Sequence, residues 1–265
     1  MRKLLFVAAV FSLIMVSCQK DQVKTDASID EVSQDVIELI AALGFKTNDI
    51  QKVPEGYLVE GDIIITDEDL RNGIGSGSEL VVGDSEHYRT TNVVTGLPRN
   101  ITIRVNSSLP TSYVTATNAA IARYNALGLR LTFTRVTSGG NIVINPAPST
   151  ATYLASAGFP IGGNPHANIN VNRNYLDVWV ANTVTSIIAH EIGHCIGLRH
   201  TDYMDRSYSC GGAYYNEGAA GVGAIHIPGT PTGPDANSWM LACIGNGVNR
   251  PFTANDIIAL RFLYL

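Results

Sequence analysis

His190-Glu191-Ile192-Gly193-His194-Cys195-Ile196-Gly197-Leu198-Arg199-His200, running on to Asp205, is the stretch around which this chain is organised. His190 and His194 are four apart, so on a helix both imidazoles leave one face about one turn apart. That spacing gives a tetrahedral metal two ligands from one rigid rod. Gly197 comes three residues later, where the chain can leave the helix through a backbone conformation other residues resist. The chain can then double back and present His200 as a third nitrogen. Glu191 is placed to take a proton from a metal-held water.

Around this stretch, Asn182 and Thr183 are candidate caps for the histidine helix. Val184, Ile188, Ile192 and Cys195 form one apolar stripe, with His190 and His194 nearly opposite, so one face packs and the other lines a cleft. Residues 201–237 have few periodic apolar positions, and a loop that long is usually functional or crosslinked. Thr253-Ala254-Asn255-Asp256 resembles a capping box opening a last helix with Ile257, Ile258, Leu260 and Phe262.

Upstream, Ile101, Ile103 and Val105 alternate as a strand, and Pro110 opens a helix with Val114, Thr117, Ile121 and Tyr124 on one face, closed by Gly128. Residues 131–136 and 141–145 read as two more strands, so the domain begins as an α/β crossover. After a Gly/Pro/Ser-rich stretch, residues 168–172 read as a short strand: either a sheet edge able to pair with an extended peptide, or an exposed hairpin arm. The main domain is expected over 92–265.

Residues 1–17 carry Arg2 and Lys3 before an apolar run and read as a signal peptide. Met15-Val16-Ser17-Cys18 resembles a bacterial lipobox, although the third position before the cysteine is not the usual leucine. Cleavage there would leave Cys18 lipidated and the protein tethered to the cell envelope, at the outer membrane or surface; an ordinary signal peptide and simple secretion are the alternative. Residues 18–27 are polar and read as a tether. Residues 28–91 read as a pro-segment and linker. The segment offers a helix with Val32, Val36, Leu39, Ile40 and Leu43 on one face, an extended piece over 56–66, and a Gly/Ser-rich run from Asn72 to Gly83. It is too small for a comfortable core of its own and is expected to dock on the main domain.

The chain has 265 residues, 45% hydrophobic and 15% charged, with a net charge of −5 and no basic tract. This composition is globular and argues against a nucleic-acid partner. Export would place Cys195, Cys210 and Cys243 where disulfides persist.

The histidine stretch resembles the metzincin zinc-peptidase signature, and Ser238-Trp239-Met240 resembles that group's methionine turn, with Met240 beneath the metal. The pattern is similar to the dual-action HEIGH metallopeptidase family. It is carried by His190–His194, Arg199-His200-Thr201-Asp202, Ile227-Pro228-Gly229-Thr230-Pro231 and the methionine turn. The resemblance implies an α/β (α+β) zincin with a twisted, mostly parallel sheet, an antiparallel edge strand, two long helices and an active-site helix. It also implies one zinc held by His190, His194 and His200, Glu191 as general base, and a peptide or protein substrate lying along the edge strand. In some branches a tyrosine two residues after the methionine stabilises the oxyanion; Ala242 stands there, leaving Tyr203, Tyr208, Tyr214 and Tyr215 as unranked candidates. Val59-Glu60-Gly61-Asp62-Ile63 resembles a stretch of astacin-type propeptides whose aspartate occupies the metal's open position. Asp62 is therefore either a latency ligand, removed by cleavage within 71–91, or part of a Gly-Asp turn.

Cys210 and Cys243 bracket the long loop and are expected to pair, with Cys195 a buried thiol; Cys195 pairing with either is the alternative. Asp202 and Asp205 could hold calcium, but loop acids more often cap turns. His87, His166 and His226 read as surface or loop histidines. The expectation is a monomeric, lipid-anchored zinc endopeptidase made as a zymogen. Its rivals are an idle binding protein of the same fold and a zinc hydrolase of a non-peptide amide or ester.

Overall fold

The computed structural model describes residues 32–72, 87–218, 223–231 and 233–265. Residues 32–265 make one compact unit. The signal peptide, the tether, Cys18 and most of the Gly/Ser-rich linker lie outside the described residues. No helix among the described residues is long and apolar enough to cross a membrane.

The N-terminal segment contains α1 (Gln34–Ala42), β1 (Gln51–Val53), β2 (Gly56–Val59), β3 (Ile63–Ile65) and α2 (Asp67–Asn72). The large part continues with β4 (Tyr88–Arg89), β5 (Arg99–Val105), α3 (Thr111–Asn125), β6 (Leu131–Val136), β7 (Ile142–Pro146), β8 (Ala155–Ser156) and β9 (Asn168–Val171). It is completed by α4 (Arg173–Leu176), α5 (Ala181–Cys195), α6 (Ser207–Cys210), β10 (Ile225–His226) and α7 (Ala254–Tyr264).

The main sheet runs β6-β5-β7-β9-β8. The first four strands are parallel, and β8 pairs antiparallel with β9 at the edge. Alternation in β5 and β6 sends Ile101, Ile103, Leu131 and Phe133 into the core while Asn100, Thr132 and Thr134 face outward. Helices α3 and α5, 15 residues each, cover the apolar face. Tyr113, Ala116, Ala120, Ile121 and Tyr124 of α3 join Val184, Ile188 and Ile192 of α5 in one cluster. Tyr124 Oη donates to Ala189 O at 2.7 Å, which links the two helices.

Three sequence expectations need correction. Residues 168–171 do form a strand, but it lies inside the sheet; the edge is β8, two residues long and too short to show periodicity. Asn182 and Thr183 do not cap α5. Val180 is its N-cap; its N–H donates to Asn246 Oδ1, and Thr183 Oγ1 accepts from Gly247 N. Residues 87–91 belong structurally with the large part: β4 pairs with β10, Arg199 N donates to Tyr88 O, and Thr90 N donates to Gly197 O. The capping box at Thr253 and Asp256 is present.

The N-terminal segment docks by apolar burial and by strand addition. Ile40, Leu43, Phe45, Val59, Ile63 and Ile65 pack with Phe159 of the large part, and Leu58 and Ile64 pack with Tyr153. Ile64 N donates to Ala157 O at 2.7 Å and Ala157 N donates to Asp62 O at 2.8 Å, a parallel bridge at the end of β8. Backbone groups at the sheet edge are thereby satisfied by the segment.

Gly197 ends α5 with φ 111°, and a Cβ there would stand 2.6 Å from Asn92 O. Both the backbone conformation and the close approach require glycine. Gly197→Ala is expected to lower the free energy of unfolding by about 2 kcal/mol or more, read from urea unfolding; an unchanged midpoint would contradict this.

Candidate metal centre

Helix α5 is buried on all sides from Thr183 to Cys195, so His190 and His194 are held by packing around the whole rod rather than along one stripe. Beyond Gly197 the chain turns back, with Leu198 N donating to Gly193 O at 2.9 Å, and brings His200 to the same point. His194 Nε2 lies 3.0 Å from His190 Nε2 and 3.2 Å from His200 Nε2. Asp62 Oδ2 stands 3.0 Å from His200 Nε2 and 3.7 Å from His190 Nε2. All four ligand atoms fall within 4.8 Å of one another.

The other ring nitrogens show what this cluster needs. His190 Nδ1 is 2.8 Å from Trp239 O, His194 Nδ1 is 2.8 Å from Leu198 O, and His200 Nδ1 is 2.7 Å from Glu217 Oε1. Each partner can only accept, so each Nδ1 carries the proton and, in the neutral ring, Nε2 carries a lone pair. In neutral rings three lone pairs then face one another at a buried point, where a cation between them is favourable. Ligand bonds of about 2.0–2.1 Å to a tetrahedral zinc place the donors about 3.3 Å apart, close to the spacing observed. Burial, then the neighbouring imidazoles, hold His194 well below its ordinary pKa. For His200 burial opposes charge, but the facing Asp62 and Glu217 carboxylates outweigh it and raise the pKa well above normal. A metal ion supplies the positive charge that those carboxylates demand.

Glu191 is 2% exposed, and its Oε2 has no hydrogen-bond partner among the described residues. Burial, reinforced by Asp62, pushes its carboxyl well above the ordinary range. Met240 is fully buried, and a Cβ on Gly193 would meet its Sδ at 2.5 Å, so the thioether lies directly against α5 at Gly193. Met240 sits in a turn closed by Leu241 N donating to Ser238 O, and Met240 O accepts from Thr201 N at 2.9 Å. Asp256 anchors this turn through Ser238 Oγ at 2.8 Å and is itself 2.6 Å from His87 Nε2. His87 is thus fully buried, not a surface residue as its isolation in the sequence suggested.

A cleft of about 210 Å³ opens beside His190 and Glu191, walled by Thr152–Ala155 on the β8 side and by Leu241–Ile244 after Met240. Cys210 and Cys243 are disulfide-bonded, tying the long loop to that second wall, and Cys195 is a buried free thiol. Asp202 accepts from Ala242 N and Ser209 Oγ, and Asp205 from Ser207 N and Tyr215 N, so both carboxylates organise loop backbone. None of Tyr203, Tyr208, Tyr214 and Tyr215 lines the cleft, whereas Tyr153 does.

A family model described as the dual-action HEIGH metallo-peptidase matches residues 57–264, well over half of the chain. The chain belongs to this family. The family is described as one of metallo-peptidases, and the matched region begins inside β2, so it takes in Glu60 and Asp62. Matrix metalloproteinase-A of Caenorhabditis elegans is 40% identical over 55 residues, 20% of this chain and 11% of that relative. The chain therefore spans about a tenth of that curated relative's length. One solved structure of myroilysin is 16% identical, with 62% of this chain and 79% of that one covered and a TM-score of 0.40. A second is 15% identical, with 77% and 98% covered and a TM-score of 0.43.

In this HEIGH-family site, one buried participant had no sequence signal, and another lay in a quoted motif with no role assigned to it. Glu217 stands alone in the long loop, yet orients His200 and lies 3.2 Å from Arg206 Nε. Arg199, fully buried, pairs with Glu60 at 2.8 Å and faces Glu217 at 3.6 Å. Glu217 belongs to no motif, and only the folded loop brings it to Arg199 and His200. Glu217→Gln is expected to weaken zinc affinity about 10- to 100-fold, the usual cost of losing a ligand's outer hydrogen-bond partner. Competition with a chromophoric chelator measures it; an unchanged affinity would contradict the orienting role.

Proposed function

We propose that this peptidase is a zinc endopeptidase produced in a latent form, with His190, His194 and His200 as metal ligands and Asp62 as the group that closes the site. The observation that carries this reading is the placement of Asp62 Oδ2 at 3.0 Å from His200 Nε2 by a segment hydrogen-bonded to the substrate-binding edge. Bound zinc supplies Lewis acidity, polarising a peptide carbonyl and making a water nucleophilic near neutral pH. Glu191, which lines the cleft with His190 and whose buried Oε2 has no hydrogen-bond partner among the described residues, takes the proton of the attacking water and returns it to the leaving nitrogen. Trp239 O, Leu198 O and Glu217 fix the three imidazoles in one tautomer. The edge strand β8 offers backbone groups to an extended peptide once the N-terminal segment leaves.

Glu60 strengthens the latent arrangement. It has φ 53°, and this turn of the backbone aims its carboxylate at Arg199 while Asp62 points at the histidines. Arg206 Nη1 donates to Glu60 O, so two arginines grip the segment beside the metal position. Leaving requires breaking a fully buried ion pair, which is costly when one partner stays behind unpaired. Removal of the segment would result from cleavage within 71–91. The leader over 1–17 and the lipobox-like Cys18 support an exported, lipid-anchored protein of the bacterial envelope acting as a monomer.

Zinc-loaded full chain and its variants, incubated with a denatured protein mixture, test the reading. Asp62→Ala is expected to cleave without prior processing, at a rate at least tenfold above the unprocessed wild type. Glu191→Ala, in otherwise active protein, is expected to keep one zinc and lose cleavage by a factor of about 100 or more. Unchanged latency in Asp62→Ala would remove the closing role. A zinc-loaded protein that cuts nothing after segment removal would remove the peptidase reading.

A further inference from the structure

The cleft beside His190 and Glu191 carries a charge that the hydrolytic chemistry does not use. Leu154, Ile187, Leu241 and Ile244 give it apolar walls, and into these walls are set two guanidinium groups, Arg206 and Arg250. Arg206 is committed: its Nε lies 3.2 Å from Glu217 Oε1, and it donates to Glu60 O. Arg250 is different. Its Nη1 donates to Cys243 O at 2.8 Å, and no carboxylate among the described residues lies at ion-pair distance from it.

The carboxylates whose field reaches Arg250 are already spent. Asp202 accepts from Ala242 N and Ser209 Oγ; Asp256 holds His87, Ser238 and the N-cap of α7. Burial works against the charge on Arg250, which nonetheless stays a cation. A guanidinium has five N–H donors, and one of them has a partner among the described residues. A half-buried, unmatched cation in a cavity with apolar walls is costly by itself and becomes favourable when a carboxylate enters and pairs with it.

The place of the cavity fixes which part of a ligand would reach it. Its walls include Leu154 and Ala155 at the sheet edge together with His190 and Glu191. A peptide lying along β8 with its reacting carbonyl at the histidine cluster puts a neighbouring side chain into this space. We propose that Arg250 makes the cavity select an acidic side chain, aspartate or glutamate, on the substrate residue adjacent to the scissile bond. The proposal rests on the peptidase reading of the same site.

Cleavage-site profiling of a C-terminally amidated peptide library tests it, using the zinc-loaded full chain carrying Asp62→Ala. Amidation ensures that any carboxylate selected is a side chain rather than a chain terminus. Asp and Glu are expected to be enriched about tenfold or more over Gln and Leu at one position next to the cleaved bond. Arg250→Met should abolish the enrichment while cleavage at Leu-containing sites persists, Arg250→Lys should keep most of it, and Arg250→Glu should replace it with Lys and Arg. Absence of acidic enrichment in the parent protein, or its survival in Arg250→Met, overturns the proposal. Absence of any cleavage both by the parent and by the zinc-loaded protein after cleavage within 71–91 has released the N-terminal segment overturns the peptidase reading instead. If Arg250→Met does not fold, the parent profile and Arg250→Glu still decide.

Discussion

Three imidazole Nε2 atoms aimed at one point, with their opposite nitrogens already donating, govern how the molecule around them is built. Each Nδ1–H is committed to a carbonyl or to Glu217, so the lone pairs at the centre have no proton between them. A cation at their centre binds those lone pairs and is strongly favoured there. The surrounding molecule is arranged to keep the rings from turning away. Helix α5 is buried on every side, Met240 presses against Gly193, and Gly197 allows the reversal that returns His200.

The N-terminal segment uses the same site in a second way. Its strand β3 extends the sheet edge through Ala157, and its apolar side chains cover Phe159 and Tyr153. These contacts hold the segment where Glu60 meets Arg199 and Asp62 meets the histidines. Docking, ion pairing and approach to the metal position are thus one event. The segment is a small structure without a large core of its own, and its apolar side chains find cover against the large part.

The histidine helix, the parallel strands and the pairing of Cys210 with Cys243 could be read from the chain because each is local, strongly periodic or marked by rare residues. His190 and His194 come from helix geometry, Ile101 and Ile103 from strand alternation, and the capping box from Thr253 and Asp256. What escaped was either too short or too distant. Strand β8 has two residues and sits in a Gly/Pro/Ser-rich stretch, so the neighbouring residues 168–171 looked like the edge. His87 seemed solitary because its partner, Asp256, lies 169 positions away. Glu217 and Arg250 carry no motif; their meaning appears only when the loop and the wall after the methionine turn close over the cleft.

Zinc K-edge absorption spectroscopy of the full chain reads the ligand set at this point without reference to turnover. One zinc with three imidazole nitrogens and one carboxylate oxygen, all at about 2.0–2.1 Å, is the expected result. A sulfur scatterer at about 2.3 Å, or fewer than three imidazoles, would contradict it.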